Sequence, residues 1–104
     1  MVRTEHDIQN DIRLTLSERG YCVFRINSGK IETKDGRWFD VGVPKGFSDL
    51  MAVKDGRVFF IEVKRPDGRA TPEQLNFIKQ MQERYGCRAG IARDVGDAIA
   101  IVEG

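Results

Sequence analysis

Histidine is almost missing from this chain: His6 is the only one, and it sits near a helix start with no assigned role. Cysteine is scarce too, with Cys22 and Cys87 far apart in separate apolar stretches. Clustered Cys/His zinc sites and disulfide-stapled frameworks are therefore excluded, and both thiols are expected to be buried and reduced. No apolar run approaches the roughly 20 residues that span a bilayer. The opening MVRTEHDIQN has neither an apolar core nor a cleavage site, so an intracellular protein is expected. Charge of one sign is not in excess either. Lys and Arg number 17 against 16 Asp and Glu, a net +1 that does not announce a polyanion partner. What 104 residues with 40% hydrophobic content do support is one globular domain, 1–104, with a single core.

Distribution says more than total. Residues 25 to 69 carry ten basic and seven acidic side chains, while the remainder is slightly acidic. Along the chain, Thr4 predicts a helix cap, with Glu5 and Asp7 in the first turn where the dipole favours acids. Ile8, Ile12 and Leu16 follow at intervals of four as one apolar face, and Gly20 stops the helix. Glu5 falls at the edge of that buried stripe, an unusual place for a carboxylate.

Residues 21–27 read as a strand with Cys22, Phe24 and Ile26 on one face. The segment 28–46 is rich in glycine and charge. It reads either as a small hairpin turning at Asp35-Gly36 with Ile31 and Trp38-Phe39 on its arms, or as a mobile substrate-contacting loop. Next come DLMAV (49–53) and VFFIEVK (58–64), joined through Asp55-Gly56, a strong two-residue hairpin signal. Thr71-Pro72-Glu73-Gln74 opens a second helix whose apolar face is read as Leu75, Ile78, Met81 and Tyr85. CRAGIA (87–92) is a last strand, and about 97–102 a short terminal helix.

With Asp55 and Gly56 at the turn, Val53 faces Val58 and Asp49 faces Glu62, at Cβ separations of about 4.5–5.5 Å. Lys64 shares the sheet face of Glu62. The strand is apolar on both sides before Glu62, as a central strand is. Two facing carboxylates in such a place repel, and burial penalises their charge further. A divalent cation relieves both problems: Mg²⁺ is held by one or two carboxylates plus waters and phosphate oxygens. The backbone carbonyl of Val63 is available as a further ligand. With Lys64 alongside, these are the parts for phosphodiester hydrolysis. The competing reading is a structural ion pair of Lys64 with Glu62 or Asp49.

Asp49 followed by Glu62-Val63-Lys64 matches the D…(D/E)-x-K signature of the PD-(D/E)XK nucleases. Glu5 and Gln9, Gly46-Phe47-Ser48-Asp49, and Thr71-x-x-Gln74-x-x-Phe77 sharpen the match. Together they resemble the virus-type replication-repair nuclease domain, VRR-NUC, over essentially the whole chain. The resemblance implies an α/β fold with a mixed central sheet flanked by helices, in the order α-β-β-β-α-β with a short C-terminal helix. It implies a Mg²⁺- or Mn²⁺-dependent endonuclease in which Asp49 and Glu62 are the main metal ligands and Lys64 the catalytic lysine. Glu5 would reach the metal directly or through water, and Gln74 would hold Lys64 or a phosphate. Glu5 serves equally as a favourable acid at a helix start, and Gln74 as the end of a capping box.

No zinc finger or separate recognition helix is present to read sequence. Affinity is expected from phosphate contacts by Lys30, Lys45, Arg65 and Arg69, which fix position rather than sequence. Asn27 and Ser28 serve either a phosphate or a turn. Standalone members of the resembled family are associated with branched DNA, including four-way junctions, and with homodimers. Flap or duplex cleavage, and DNA binding without catalysis, stand as alternatives.

Overall fold

The computed structural model describes residues 3–26, 30–40 and 42–104, with the backbone alone described at 30–32 and 38–40. Helix α1 (Glu5–Glu18) leads into strand β1 (Cys22–Arg25). Strands β2 (Lys30–Glu32) and β3 (Trp38–Asp40) then pair with each other, and β4 (Leu50–Lys54) and β5 (Arg57–Val63) follow. Helix α2 (Pro72–Glu83), strand β6 (Arg88–Ala92) and helix α3 (Val95–Glu103) complete the order. The main sheet runs β1-β4-β5-β6, antiparallel except for the parallel β5–β6 pair, so β5 is an inner strand.

Local chemistry explains the main boundaries. Thr4 caps α1 reciprocally with Asp7: each side chain takes the other residue's backbone N–H at 3.1 Å. Gly20, at φ +91°, ends it. In the β4–β5 hairpin both central residues take positive φ, 52° at Asp55 and 75° at Gly56, as a two-residue primed turn requires. Val53 therefore faces Val58, as the sequence predicts, and Leu50 faces Ile61. The smaller hairpin also forms around Asp35-Gly36, pairing Ile31 with Phe39.

Alternation along β5 splits the interior in two. Phe59, Ile61 and Val63 face a core built with Ile8, Ile12 and Leu16 of α1 and Ala98 and Val102 of α3. Phe60 faces the other way, into a cluster with Ile78, Phe77 and Met81 of α2. Glu62 has the parity of Phe60 and continues that second face toward the strand end.

Two expectations about faces are corrected. Cys22 is exposed and Phe24 is 46% exposed, while Val23 packs on the core. The face with Tyr21, Val23 and Arg25 is the more polar in sequence, yet it packs on the core; β1 is an edge strand with its Cys22 side in solvent. Cys87 is half-buried rather than buried, and both thiols are free. In α2, Leu75 (51% exposed) and Tyr85 (64%) are outside, Tyr85 lying beyond the helix end. The inner face is Phe77, Ile78 and Met81, because Phe77 stacks against Phe47 and Phe60 at ring-centroid distances of 4.4 and 5.3 Å. Those aromatic contacts set the helix rotation.

The same contacts seat the approach to β4. Gly46 is buried at φ +93°, and a Cβ there would lie 2.7 Å from the Glu73 carbonyl oxygen in the first turn of α2. Gly46→Ala is expected to cost about 3 kcal/mol, from the left-handed backbone and the backbone clash together. Gly36→Ala, also at positive φ but with nothing within 4 Å, is expected to cost only about 1 kcal/mol. Thermal melts of the two variants test the contrast.

Candidate active site

The two strands that carry the site are held in register right up to it. β4 begins at Leu50, and one residue earlier the Asp49 side chain takes over from the backbone ladder. Its Oδ2 accepts from the Val63 N–H at 2.9 Å. The Asp49 carbonyl accepts from the Ile26 N–H at 2.8 Å, tying the position to the end of β1 as well. Before it, Ser48 is buried and its hydroxyl donates to the Leu50 carbonyl at 3.0 Å. In an extended strand the N–H and C=O of one residue point the same way, so the Val63 carbonyl also faces the Asp49 side.

Glu62 is 1% exposed, on an inner strand and beside Asp49. Its carboxyl is pushed up to about 8. Burial contributes most, followed by the charge of the adjoining Asp49 carboxyl. Glu5 pushes the same way, and Lys64 opposes them. The two oxygens of Glu62 are treated differently. Oε1 accepts from Gln74 Nε2 at 3.0 Å, whereas Oε2 is buried with no hydrogen-bond partner among the described residues.

Gln74 fills both roles open to it. Its Oε1 accepts from the Thr71 N–H at 2.9 Å, completing the capping box, while Thr71 Oγ1 accepts from the Gln74 N–H at 3.2 Å. That commits the amide oxygen to the helix cap and turns the NH₂ toward Glu62. The sequence expected this residue to hold Lys64 or a phosphate; the structure gives it Glu62.

Lys64 follows β5 directly, with its N–H donating to the Ala92 carbonyl at 3.0 Å. Its side chain is 9% exposed, and among the described residues no carboxylate lies within 4 Å of its ammonium. The structural ion pair considered from the sequence is therefore not formed. Glu5 is half-buried at the start of α1, close enough for its charge to reach Glu62. Among the described residues no three His, Cys, Asp or Glu side chains converge as a cation cage. One turn along α1, Gln9 is 8% exposed and its Oε1 has no donor.

The expected phosphate contacts are less uniform. Lys45 and Arg69 are exposed, and Arg65 pairs with Asp67 at 3.1 Å. Asn27 and Ser28 lie outside the described residues, as does the side chain of Lys30. Sequence reasoning passed over Arg93, whose guanidinium reaches carbonyls of residues 65 to 68. No local spacing signals such a contact, because its partners are backbone atoms more than twenty positions away. Among the described residues no helix is long and apolar enough to cross a membrane.

Comparison with known proteins gives the family and the fold. The family model described as the VRR-NUC domain matches residues 3–95. A solved VRR_NUC domain aligns with a TM-score of 0.69 at 21% identity, covering 95% of this chain and 94% of that one. The Holliday junction resolvase Hjc of Archaeoglobus fulgidus aligns with a TM-score of 0.57 at 16% identity, over 84% of this chain and 65% of the resolvase. No curated protein matches the sequence. At those identities the two structures speak for the fold alone, a mixed sheet flanked by helices. With the family model spanning nearly the whole chain around Asp49, Glu62 and Lys64, this protein belongs to the VRR-NUC family of nuclease domains.

Proposed function

We propose that residues 1–104 act as a single divalent-metal-dependent DNA endonuclease unit, selective for branched DNA such as four-way junctions. The observation that carries the metal dependence is the open Oε2 of Glu62, buried beside a second carboxylate. Two close carboxylates with a backbone carbonyl on the same side suit a hard cation that keeps several waters. Asp49, Glu62 and the Val63 carbonyl would hold Mg²⁺, with Mn²⁺ as a substitute. Glu5, set back at the start of α1, would act through a bound water. When bound, such an ion polarises a phosphoryl oxygen and lowers the pKa of a water.

The chain's own groups do the rest. Gln74 holds Oε1 of Glu62, so that the carboxylate presents its other oxygen. The Lys64 ammonium, which no carboxylate of the described residues holds within 4 Å, would orient the attacking water and meet the charge that gathers on the phosphorane oxygens. Lys30, Lys45, Arg65, Arg69 and Asn27 would position the backbone of the DNA.

Branched DNA is favoured because the sequence shows no zinc finger or recognition helix-turn-helix to read base edges, and because one solved structure that shares this fold is a Holliday junction resolvase. Paired cuts at a junction suit a homodimer, and the proposed setting is intracellular. The test is cleavage of labelled four-way junction, flap and linear duplex with Mg²⁺, Mn²⁺ or EDTA. Metal-dependent cutting of the junction in preference to the others is the expected result. Cutting of flaps or duplex instead keeps the nuclease and discards the junction. Binding of the junction without cutting any form makes the non-catalytic DNA-binding reading the better one.

A further inference from the structure

We infer that Arg93 is a positioning residue for Lys64: it fixes the turn that follows the catalytic lysine and packs beside the root of its side chain, and so sets the direction in which that side chain leaves the strand. The inference rests on the nuclease reading of Lys64, and it starts from a gap. Lys64 is nearly buried, yet among the described residues no carboxylate within 4 Å holds its charged end. A flexible four-carbon side chain without a partner at its tip is steered by what surrounds its stem. Immediately after Lys64 the chain turns back through residues 65 to 68, closed by the Gly68 N–H donating to the Arg65 carbonyl at 2.9 Å. Gly68 lies beside the root of that side chain: a Cβ built on it would sit 3.6 Å from Lys64 Cβ.

Arg93 is what holds this turn. Its Nη1 donates to the Arg65 carbonyl at 2.6 Å and to the Gly68 carbonyl at 2.7 Å, with Pro66 O at 3.5 Å. The arginine is itself anchored. It follows Ala92, which pairs with Val63 and accepts from the Lys64 N–H, and its own N–H donates to Asp97 Oδ2 at 2.9 Å. A frame of β6, Arg93 and the start of α3 thus clamps the exit of the catalytic strand. One nitrogen makes all the contacts, so a lysine ammonium, with three donors at one point, can replace much of it. An apolar side chain of similar length cannot.

The experiment compares wild type, Arg93→Met and Arg93→Lys in three readouts: the ¹⁵N ammonium resonance of Lys64, the junction-cleavage kinetics and the Tm. In wild type a single narrow Lys64 resonance is expected. Arg93→Met is expected to broaden or split it and to lower kcat by about 10²-fold, the loss typical of slight misplacement, with KM for DNA unchanged. Arg93→Lys is expected to restore both. A lowered Tm in Arg93→Met with the Lys64 resonance and kcat intact would make Arg93 a structural strut and overturn the inference. Should Arg93→Met fail to fold, Arg93→Gln takes its place in the same three readouts, and a Lys64 resonance and kcat unchanged there overturn the inference. If wild type cuts no DNA, the nuclease reading falls, while the resonances still report whether Arg93 positions Lys64.

Discussion

Glu62→Gln is expected to abolish cleavage and, in the metal-free protein, to raise stability. The two effects have one cause. Glu62 is buried beside Asp49 and its carboxyl is pushed up to about 8. Between the ordinary carboxylate range and that value, the folded chain holds a proton that the unfolded chain has released. Native stability therefore falls as pH rises through this window, by about 1.4 kcal/mol per unit. Near neutral pH the loss is roughly 3 kcal/mol, a large share of the 5–15 kcal/mol that holds a typical domain together. The amide in Glu62→Gln keeps the shape and can still accept from Gln74. Its NH₂ can donate to Asp49, and it never ionises. Urea melts of the two proteins in EDTA should nearly coincide near pH 4.5 and separate steadily toward about pH 8. Cleavage should be lost because an amide is a poor ligand for a hard cation. A variant that unfolds instead would mark Glu62 as a structural carboxylate and overturn the assignment.

How far the sequence reached depended on which interactions are local. Hairpin register followed from Asp55-Gly56 and carried the pairing as far as Leu50 and Ile61, the neighbours of Asp49 and Glu62, without any knowledge of the rest. Caps were legible for the same reason: Thr4 with Asp7, and Thr71 with Gln74, satisfy their bonds within one helical turn. The inner position of β5 could be read from its apolar run on both faces. Where a face is set by distant packing, the pattern failed. Leu75 and Tyr85 look like core by spacing, yet Phe47 and Phe60 turn α2 toward Phe77. Cys22 and Phe24 lie on an edge strand whose opposite face, with Tyr21, Val23 and Arg25, is the more polar in sequence and yet packs on the core.

The site divides along the same line. Its charged residues were legible because adjacent strands carry them. The partner of Gln74 was not, since a capping box says where the amide oxygen goes and leaves the NH₂ open. Arg93 was invisible because its partners are carbonyl oxygens, which every residue has. Family likeness supplied Glu5 and Gln9, and the structure adds what no motif states: Gln9 is buried with an unserved oxygen, and Glu5 stands back from the carboxylate pair.

Lys64→Met is expected to stop the chemistry while leaving the fold intact. Methionine matches the lysine stem in length and stays apolar at a position only 9% exposed. Breaking a buried ion pair typically costs 3–5 kcal/mol, because an unpaired charge is left behind. Lys64 has no such partner within 4 Å among the described residues, so the variant should melt within about 1 kcal/mol of wild type or above it. Cleavage should fall by about 10²–10³-fold, the usual loss when one donor to the developing charge is removed. Metal binding separates this from general damage. Lys64 opposes the upward push on Glu62, so removing it drives that carboxyl higher still and makes the ion compete harder with the proton near neutral pH. Above about pH 8, as Glu62 ionises, the same removal takes away a repulsion and the variant should bind Mg²⁺ more tightly than wild type. Calorimetric Mg²⁺ titrations on the two sides of that range should therefore show affinities that cross. Parallel weakening on both would mean that the lysine supports the site's structure, and a loss of several kcal/mol in stability would restore the ion pair that the geometry rejects.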